Sequence, residues 1–233
     1  MKRTILQPLT KHLSAIKKHY LDGYAHKSYS QEGEDRILQR LFEPQCQGYY
    51  VDVGAHHPQR FSNTYIFYTR GWHGINIDAM PGSMRLFNKY RPKDSNIECG
   101  IGETECVLQY YMFNEPALNG FSQTLSDQRH HAASNYQVIK TIPVPVRRLE
   151  NVLAEWLPSS QQIDFLTVDA EGLDLQVLRS NDWDRYRPRY VLVEVLGSSL
   201  SSIEQDATSQ FLASVGYEIF AKCVQTAFFR RSH

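Results

Sequence analysis

No continuous apolar run in this chain approaches the ~18 residues that a membrane-spanning helix needs. The sequence also lacks any C-x-x-C pair. Its four cysteines, Cys46, Cys99, Cys106 and Cys223, are scattered, which speaks against a zinc cluster. Four separate thiols suit a reducing compartment and imply a cytoplasmic protein. Excess charge of either sign is missing: 25 Lys and Arg balance 25 Asp and Glu over 233 residues. A basic footprint is the usual mark of a phosphate-backbone binder, so nucleic acid is not an expected partner. There is no internal repeat and no low-complexity tract, and residues 1–27 show no continuous apolar core, so they are not expected to act as a secretory leader. With 42% hydrophobic and 21% charged residues, the chain has the make-up of an ordinary globular domain.

The N-terminal residues 1–27 form a separate region. They carry Lys2, Arg3, Lys11, Lys17, Lys18 and Lys27 against Asp22, with Ile5, Leu9, Leu13, Ile16 and Tyr20 at near-helical spacing. This predicts a basic amphipathic helix. It either docks on the domain surface or makes a peripheral contact with a membrane or a protein.

From residue 28 to 233 the chain reads as one α/β domain. Short β-rich runs alternate with amphipathic helices, which predicts a doubly wound, mostly parallel sheet with helices on both faces. Strands are expected at 49–53, 74–78, 95–99, 107–113, 142–146, 165–169 and 190–195. Helices are expected at 33–42, 63–70, 82–90, 149–157, 173–179 and 203–215, the last opened by a Ser202/Gln205 capping box. Residues 217–222 and 226–230 should close the sheet as an antiparallel hairpin. Residues 114–140 are polar and aperiodic, and so long a connection is expected to be a lid or an acceptor-binding insertion.

The chemistry gathers at strand ends. In Tyr49-Tyr50-Val51-Asp52-Val53-Gly54-Ala55 an apolar strand delivers an acid and then a glycine, whose missing side chain lets a ligand come close. Ligands of open α/β sheets bind at such ends, at the topological switch point. In Gly74-Ile75-Asn76-Ile77-Asp78-Ala79 the second strand ends in an acid that can accept hydrogen bonds from both ribose hydroxyls of a nucleoside. A dinucleotide loop would be G-x-G-x-x-G, but the later glycine positions hold His56 and Gln59. A pyrophosphate would meet side chains there, whereas S-adenosylmethionine (SAM) has none to place. A third strand ends in Asp169-Ala170-Glu171-Gly172, with Asp174 in the following turn, and a fourth in Glu194. Carboxylates crowded on one rim raise each other's pKa or attract a cation. Alternatively, Glu171 and Asp174 simply favour a helix N-terminus.

These elements fall in an order that resembles one family. Ser30-Gln31-Glu32-Gly33-Glu34-Asp35, Val51-Asp52-Val53-Gly54-Ala55, Ser62-Asn63-Thr64, Gly71-Trp72, Ile77-Asp78-Ala79, Arg91-Pro92, Asp169-Ala170-Glu171-Gly172 and Arg187-Pro188 resemble the FkbM methyltransferases. The resemblance implies a class I, Rossmann-like methyltransferase fold, SAM as cofactor, and O-methylation of a sugar, glycan or natural product. It implies cofactor contacts from Ser30, Gln31, Asp52, Gly54, Ala55, Asp78 and Ala79. His56 and Pro58 stand where the generic class I loop has further glycines, so the contacts at the methionine end stay open.

Methyl transfer to an alcohol needs alignment and a base. His56, Asp169 and Glu171 are the catalytic candidates. His57, Asn63, His130 and Glu194 are candidates for contact with the acceptor. Either His56 or His57 could instead pin its loop. A divalent cation such as Mg²⁺ on Asp169 and Glu171 is a further option, since it would acidify the acceptor hydroxyl. Two other functions fit less of the sequence: a nucleoside-binding oxidoreductase, and a non-catalytic interaction module on the same fold.

Overall fold

A computed structural model of the protein describes residues 23–131 and 135–232. Most of the predicted basic helix, up to residue 22, lies outside the described residues.

The central sheet has seven strands: β1 (Tyr49–Val53), β2 (His73–Asp78), β3 (Ser95–Glu98), β7 (Phe165–Val168), β8 (Tyr190–Glu194), β9 (Tyr217–Lys222) and β10 (Thr226–Arg231). Their spatial order is β3-β2-β1-β7-β8-β10-β9. β3, β2, β1, β7 and β8 run parallel. β10 enters antiparallel between β8 and β9. This is the doubly wound, mostly parallel sheet closed by an antiparallel hairpin that the sequence predicts. The chain leaves β1 towards β2 on one side and returns through β7 on the other, so the switch point lies between the ends of β1 and β7.

β1 is buried along its whole length because both faces are covered, which is why it reads as one apolar run. Its pleat sends Tyr49, Val51 and Val53 into one core, with Ile75, Ile77, Leu149, Val152, Leu153, Leu178 and Leu212. These come from β2 and from α5 (Leu149–Trp156), α6 (Asp174–Arg179) and α7 (Ala207–Ser214). Tyr50 points the other way, into Leu38, Phe42, Phe67, Trp72, Phe165, Leu192 and Phe228, beneath α1 (Glu34–Leu41) and α2 (Tyr65–Tyr68). α3 (Met84–Tyr90) closes a small cluster in which Met84 and Phe87 pack on Ala55. Trp72 is 1% exposed, and losing such a side chain typically costs about 3–5 kcal/mol.

The structure departs from the sequence reading in three places. β4 (Gly100–Ile101), β5 (Cys106–Phe113) and β6 (Val138–Arg147) leave the main sheet and form their own three-stranded sheet in the order β4-β6-β5. Residues 114–140 are not a bare loop: they hold a 3-10 turn, Pro116–Leu118, helix α4 (Gln123–His131) and the start of β6. Ser202 does not cap α7. A separate 3-10 turn, Ile203–Gln205, intervenes, and Asp206 is the cap, its carboxylate accepting from the Thr208 N–H at 2.8 Å. A carboxylate bonding two residues ahead in this way competes with helix and so sets its start.

Candidate active site

A cavity of about 240 Å³ opens at the C-terminal ends of β1, β2 and β7. One end is built by the turns after β1 and β2. Gly54 has φ +81°, and a Cβ there would sit 1.8 Å from the Asp169 carbonyl oxygen. The glycine is therefore needed for strand ends to close on each other, as well as for access to the cavity. Its N–H and that of Ala55 both donate to the Ile77 carbonyl, at 2.9 and 3.0 Å.

Asp78 is 7% exposed and lines the cavity. Its Oδ2 accepts from the His56 N–H and its Oδ1 from the Met80 N–H, each at 2.8 Å. Burial pushes its pKa up, and these two N–H groups oppose that. Each oxygen keeps a second lone pair, so the carboxylate can also accept from vicinal hydroxyls. Ala79, Met80, Cys99, Gly100 and Ile101 continue this wall, over which Phe121 packs so closely that a Cβ on Gly100 would lie 2.6 Å from its ring. An accepting carboxylate on Asp78 beside a wall of backbone and small or apolar side chains fits a nucleoside.

The other end is acidic. Asp169 follows β7, Glu171 sits two residues on at φ 48°, and Glu194 ends β8. One oxygen from each lies within 4.8 Å of the others. Asp169 Oδ1 and Glu194 Oε2 are closed off from solvent and have no hydrogen-bond partner among the described residues. Burial first, then the charges of Glu194 and Glu171, pushes the Asp169 carboxyl well above the usual carboxylate range. Burial, then Glu171 and Asp174, pushes Glu194 up to about 8. Glu171 is also raised by burial, and Arg129 of α4 opposes this. The Arg129 guanidinium meets Glu171 Oε2 at 2.6 Å, both side chains being largely buried, at 20% and 15% exposure. It also donates to the Leu118 carbonyl at 3.2 Å.

The expected residues separate into two groups. Gln31, Gly54, His56, Asp78, Ala79, Asp169, Glu171 and Glu194 line the cavity together. Asn63 donates to Thr167 Oγ1 at 3.0 Å and borders a side recess of about 20 Å³ shared with Asp169 and Glu194. Ser30, Asp52, Ala55, His57 and His130 do not line it. Ser30 Oγ accepts from the Asp35 N–H at 3.3 Å and donates to its carboxylate at 3.0 Å, which secures the start of α1. Asp52 shares the pleat face of Tyr50 and accepts from Thr64 Oγ1 at 2.7 Å. Thr64 in turn accepts from Arg91 at 2.8 Å, and Arg91 pairs with Asp94, both side chains fully buried. Burial lifts Asp52 to about 6, against the pull of Arg91. Ala55 belongs to the α3 cluster. His57 Nδ1 accepts from the Gln59 and Arg60 N–H groups at 3.1 and 3.0 Å, so it is the histidine that pins the loop. His130 is exposed on α4, its Nδ1 accepting from the Val138 N–H at 3.3 Å.

His56 holds a left-handed conformation, φ 53°, which turns its ring inward against Phe61 at 6.2 Å. Its Nε2 is buried with no partner among the described residues. Burial, with Arg60 and His57 nearby, lowers it to about 4. The imidazole is thus neutral near pH 7 and does not neutralise the acids as an imidazolium. Asp174, the fourth acid of the rim, accepts from the Ala170 and Gly172 N–H groups at 2.8 and 3.2 Å and holds the turn.

Sequence reasoning missed Arg129, Phe61, Met80, Tyr110 and Gln225, all of which line the cavity. The acid excess at the strand ends is a signal that some cation must come to them, though it does not say which.

A cavity at the switch point, with Asp78 at the end of β2 on one side and Asp169, Glu171 and Glu194 at the ends of β7 and β8 on the other, sits on a class I, Rossmann-like methyltransferase fold. The chain belongs to the FkbM methyltransferase family, whose domain model, described as the methyltransferase FkbM domain, matches residues 52–219. A relative named Methyltransferase 1, from Beauveria bassiana (strain ARSEF 2860), is 30% identical over 100 residues, which is 37% of this chain and 39% of that protein. The match thus spans about two fifths of that relative's length. A TehB-like SAM-dependent methyltransferase of known structure, from Corynebacterium glutamicum ATCC 13032 Kitasato, superposes with a TM-score of 0.41 at 12% identity, covering 97% of this chain and all of that one. Among the described residues no helix is long and apolar enough to cross a membrane.

Proposed function

We propose that this chain, through a domain spanning residues 28–233, transfers a methyl group from SAM to a hydroxyl oxygen of a sugar, glycan or related natural product. The observation that carries this is the carboxyl pair at the acidic end, where Asp169 Oδ1 and Glu194 Oε2 border the cavity with no hydrogen-bond partner among the described residues. SAM supplies the methyl group already activated on a sulfonium, so the protein's share is alignment and proton removal. Asp78 holds the ribose hydroxyls, and the turns at Gly54 and Ala79 flank the nucleoside. The pair Asp169–Glu194 takes the acceptor proton. A carboxylate whose pKa is near 8 is a stronger base than an ordinary one, and it is poised close to the working pH. His56, neutral and held near 4, is the weaker base and serves to orient the hydroxyl. Residues 116–121 and Arg129 wall the cavity, and the segment that carries them serves as the lid over the acceptor.

The test combines calorimetry with SAM and transfer of a labelled methyl group to a panel of sugars and glycans. Asp169→Asn and Glu194→Gln should each lower turnover at saturating cofactor by about a hundredfold or more. Full turnover in both variants would remove the pair from the chemistry, and a folded chain that does not bind SAM would remove the function.

A second reading places a divalent cation on Asp169 and Glu171, favoured by three carboxylate oxygens within 4.8 Å. The Arg129 ion pair to Glu171 counts against it, because that carboxylate already has its positive partner. Activity that survives EDTA supports the metal-free reading; activity lost to EDTA and restored by Mg²⁺ supports the cation.

A further inference from the structure

The acidic end of the cavity holds more acidic groups than the described residues around it offset. One oxygen each of Asp169, Glu171 and Glu194 lies within 4.8 Å of the others. The charges bearing on Asp169 and Glu194 come from several elements. Asp52 on β1, Glu171 after β7, Asp174 on α6 and Glu32 ahead of α1 are negative. Arg129 on α4 is positive, and its guanidinium is committed to Glu171 at 2.6 Å. Asp169 Oδ1 and Glu194 Oε2 are shut off from solvent without a hydrogen-bond partner among the described residues. Buried carboxylate oxygens in that position are stabilised by an entering cation.

Given the proposed methyl transfer, on which this rests, the ligand itself brings a positive charge and then loses it. We propose that the Asp169–Glu171–Glu194 cluster is a charge discriminator that holds cationic SAM more tightly than its neutral product, S-adenosylhomocysteine. The two ligands share the nucleoside, the amino group and the carboxylate. They differ by one methyl group and one unit of charge. Contacts at Asp78 and Gly54 therefore act on both alike, and the ratio of affinities isolates the acid cluster. The discrimination favours exchange of spent cofactor for fresh, because loss of the sulfonium charge removes an attraction that the nucleoside contacts do not replace.

The experiment is titration calorimetry with SAM and with S-adenosylhomocysteine at mildly alkaline pH. It is carried out on the full chain, on Glu194→Gln and on Arg129→Met, each checked for folding by circular dichroism. The full chain should bind SAM at least about fivefold more tightly, which corresponds to one charge pair about 4 Å apart under full water screening. Glu194→Gln removes a negative charge and should move the ratio towards one. Arg129→Met frees Glu171 and should move it the other way, even if a loosened α4 weakens both ligands together. Two shifts of opposite sign are not produced by a general loss of structure. Equal or tighter binding of S-adenosylhomocysteine by the full chain overturns the inference, as does a ratio that neither variant changes. If methyl transfer still occurs in that case, the proposed function stands without it. If the full chain binds neither ligand, the proposed function falls and the inference falls with it.

Discussion

Replacing Glu194 with glutamine should make the protein more stable at alkaline pH, and the size of the effect follows from the burial of that carboxyl. Glu194 rises from 4.5 to about 8 in the folded protein, mainly through burial and then through Glu171 and Asp174. Between those two values the folded state holds a proton that the unfolded chain has released. Stability from this source is complete below the unfolded value and is lost as pH climbs through the folded one. One pKa unit corresponds to about 1.4 kcal/mol, so an isolated group shifted this far would cost several kcal/mol. Glu194 is only half-buried, and Arg129 opposes part of its shift. A net effect of about 1–2 kcal/mol is therefore expected, after discounting for solvent screening. Glutamine keeps the shape and never ionises. Thermal melts from mildly acidic to mildly alkaline buffer should show a fall in Tm that is larger in the parent chain by about 2–8 °C, taking about 2–4 °C per kcal/mol at this size. Parallel Tm curves for the two proteins would refute the placement of a buried, unpartnered carboxyl at the end of β8.

Three further outcomes follow from the geometry. Gly54→Ala should cost at least about 3 kcal/mol in urea unfolding, because the new Cβ falls 1.8 Å from the Asp169 carbonyl oxygen at a φ of +81°; stability within ~0.5 kcal/mol of the parent would contradict the strand-end packing. Asp78→Ala should weaken SAM binding by about 1.5–3 kcal/mol, read by calorimetry, with unchanged affinity in a folded variant excluding the ribose contact. Replacing residues 116–131 with a short glycine-serine link should weaken SAM binding as well as acceptor turnover, since Phe121 covers Gly100 and Arg129 reaches Glu171; intact SAM affinity would confine the segment to the acceptor.

The main sheet was legible because its central strands are covered on both faces. Tyr49–Val53 and Phe165–Val168 read as apolar runs bounded by glycine or acids, and the closing hairpin at Tyr217–Lys222 and Thr226–Arg231 shows as two short runs rich in aromatic and β-branched residues. Helix α4 was not legible, for a physical reason. Its sequence, Gln-Thr-Leu-Ser-Asp-Gln-Arg-His-His, has no apolar stripe, and periodicity detects only helices that bury one. Contacts from distant parts of the chain secure it, above all Arg129 to a carboxylate 42 residues away. The small sheet was missed differently: β5 and β6 were expected as strands, but strand propensity does not say which sheet a strand joins.

Within the site, residues placed by strand ends could be found, and residues placed by pleat or turn could not. Asp78 and Glu194 close their strands, so position alone sends them to the rim. Asp52 stands one residue before the end of β1. The two-residue pleat puts it on the face of Tyr50, where Thr64 lies, while Gly54, past the end of the strand and in the turn, reaches the cavity. His56 and His57 are adjacent and chemically identical, and the left-handed turn at His56, φ 53°, points one inward and leaves the other to bind Gln59 and Arg60. The sequence announces a surplus of acid on the rim, but charge balance could be restored by any of 25 Lys and Arg. The fold chooses Arg129 because Gly120 lets the lid come down on Glu171, where a Cβ at that glycine would press within 3.0 Å of the Glu171 Cβ. That close approach brings α4 near enough for an arginine to reach the rim. The acids and the lid are therefore one structural unit: without the lid the acids lose their cation, and without the acids the lid loses its anchor.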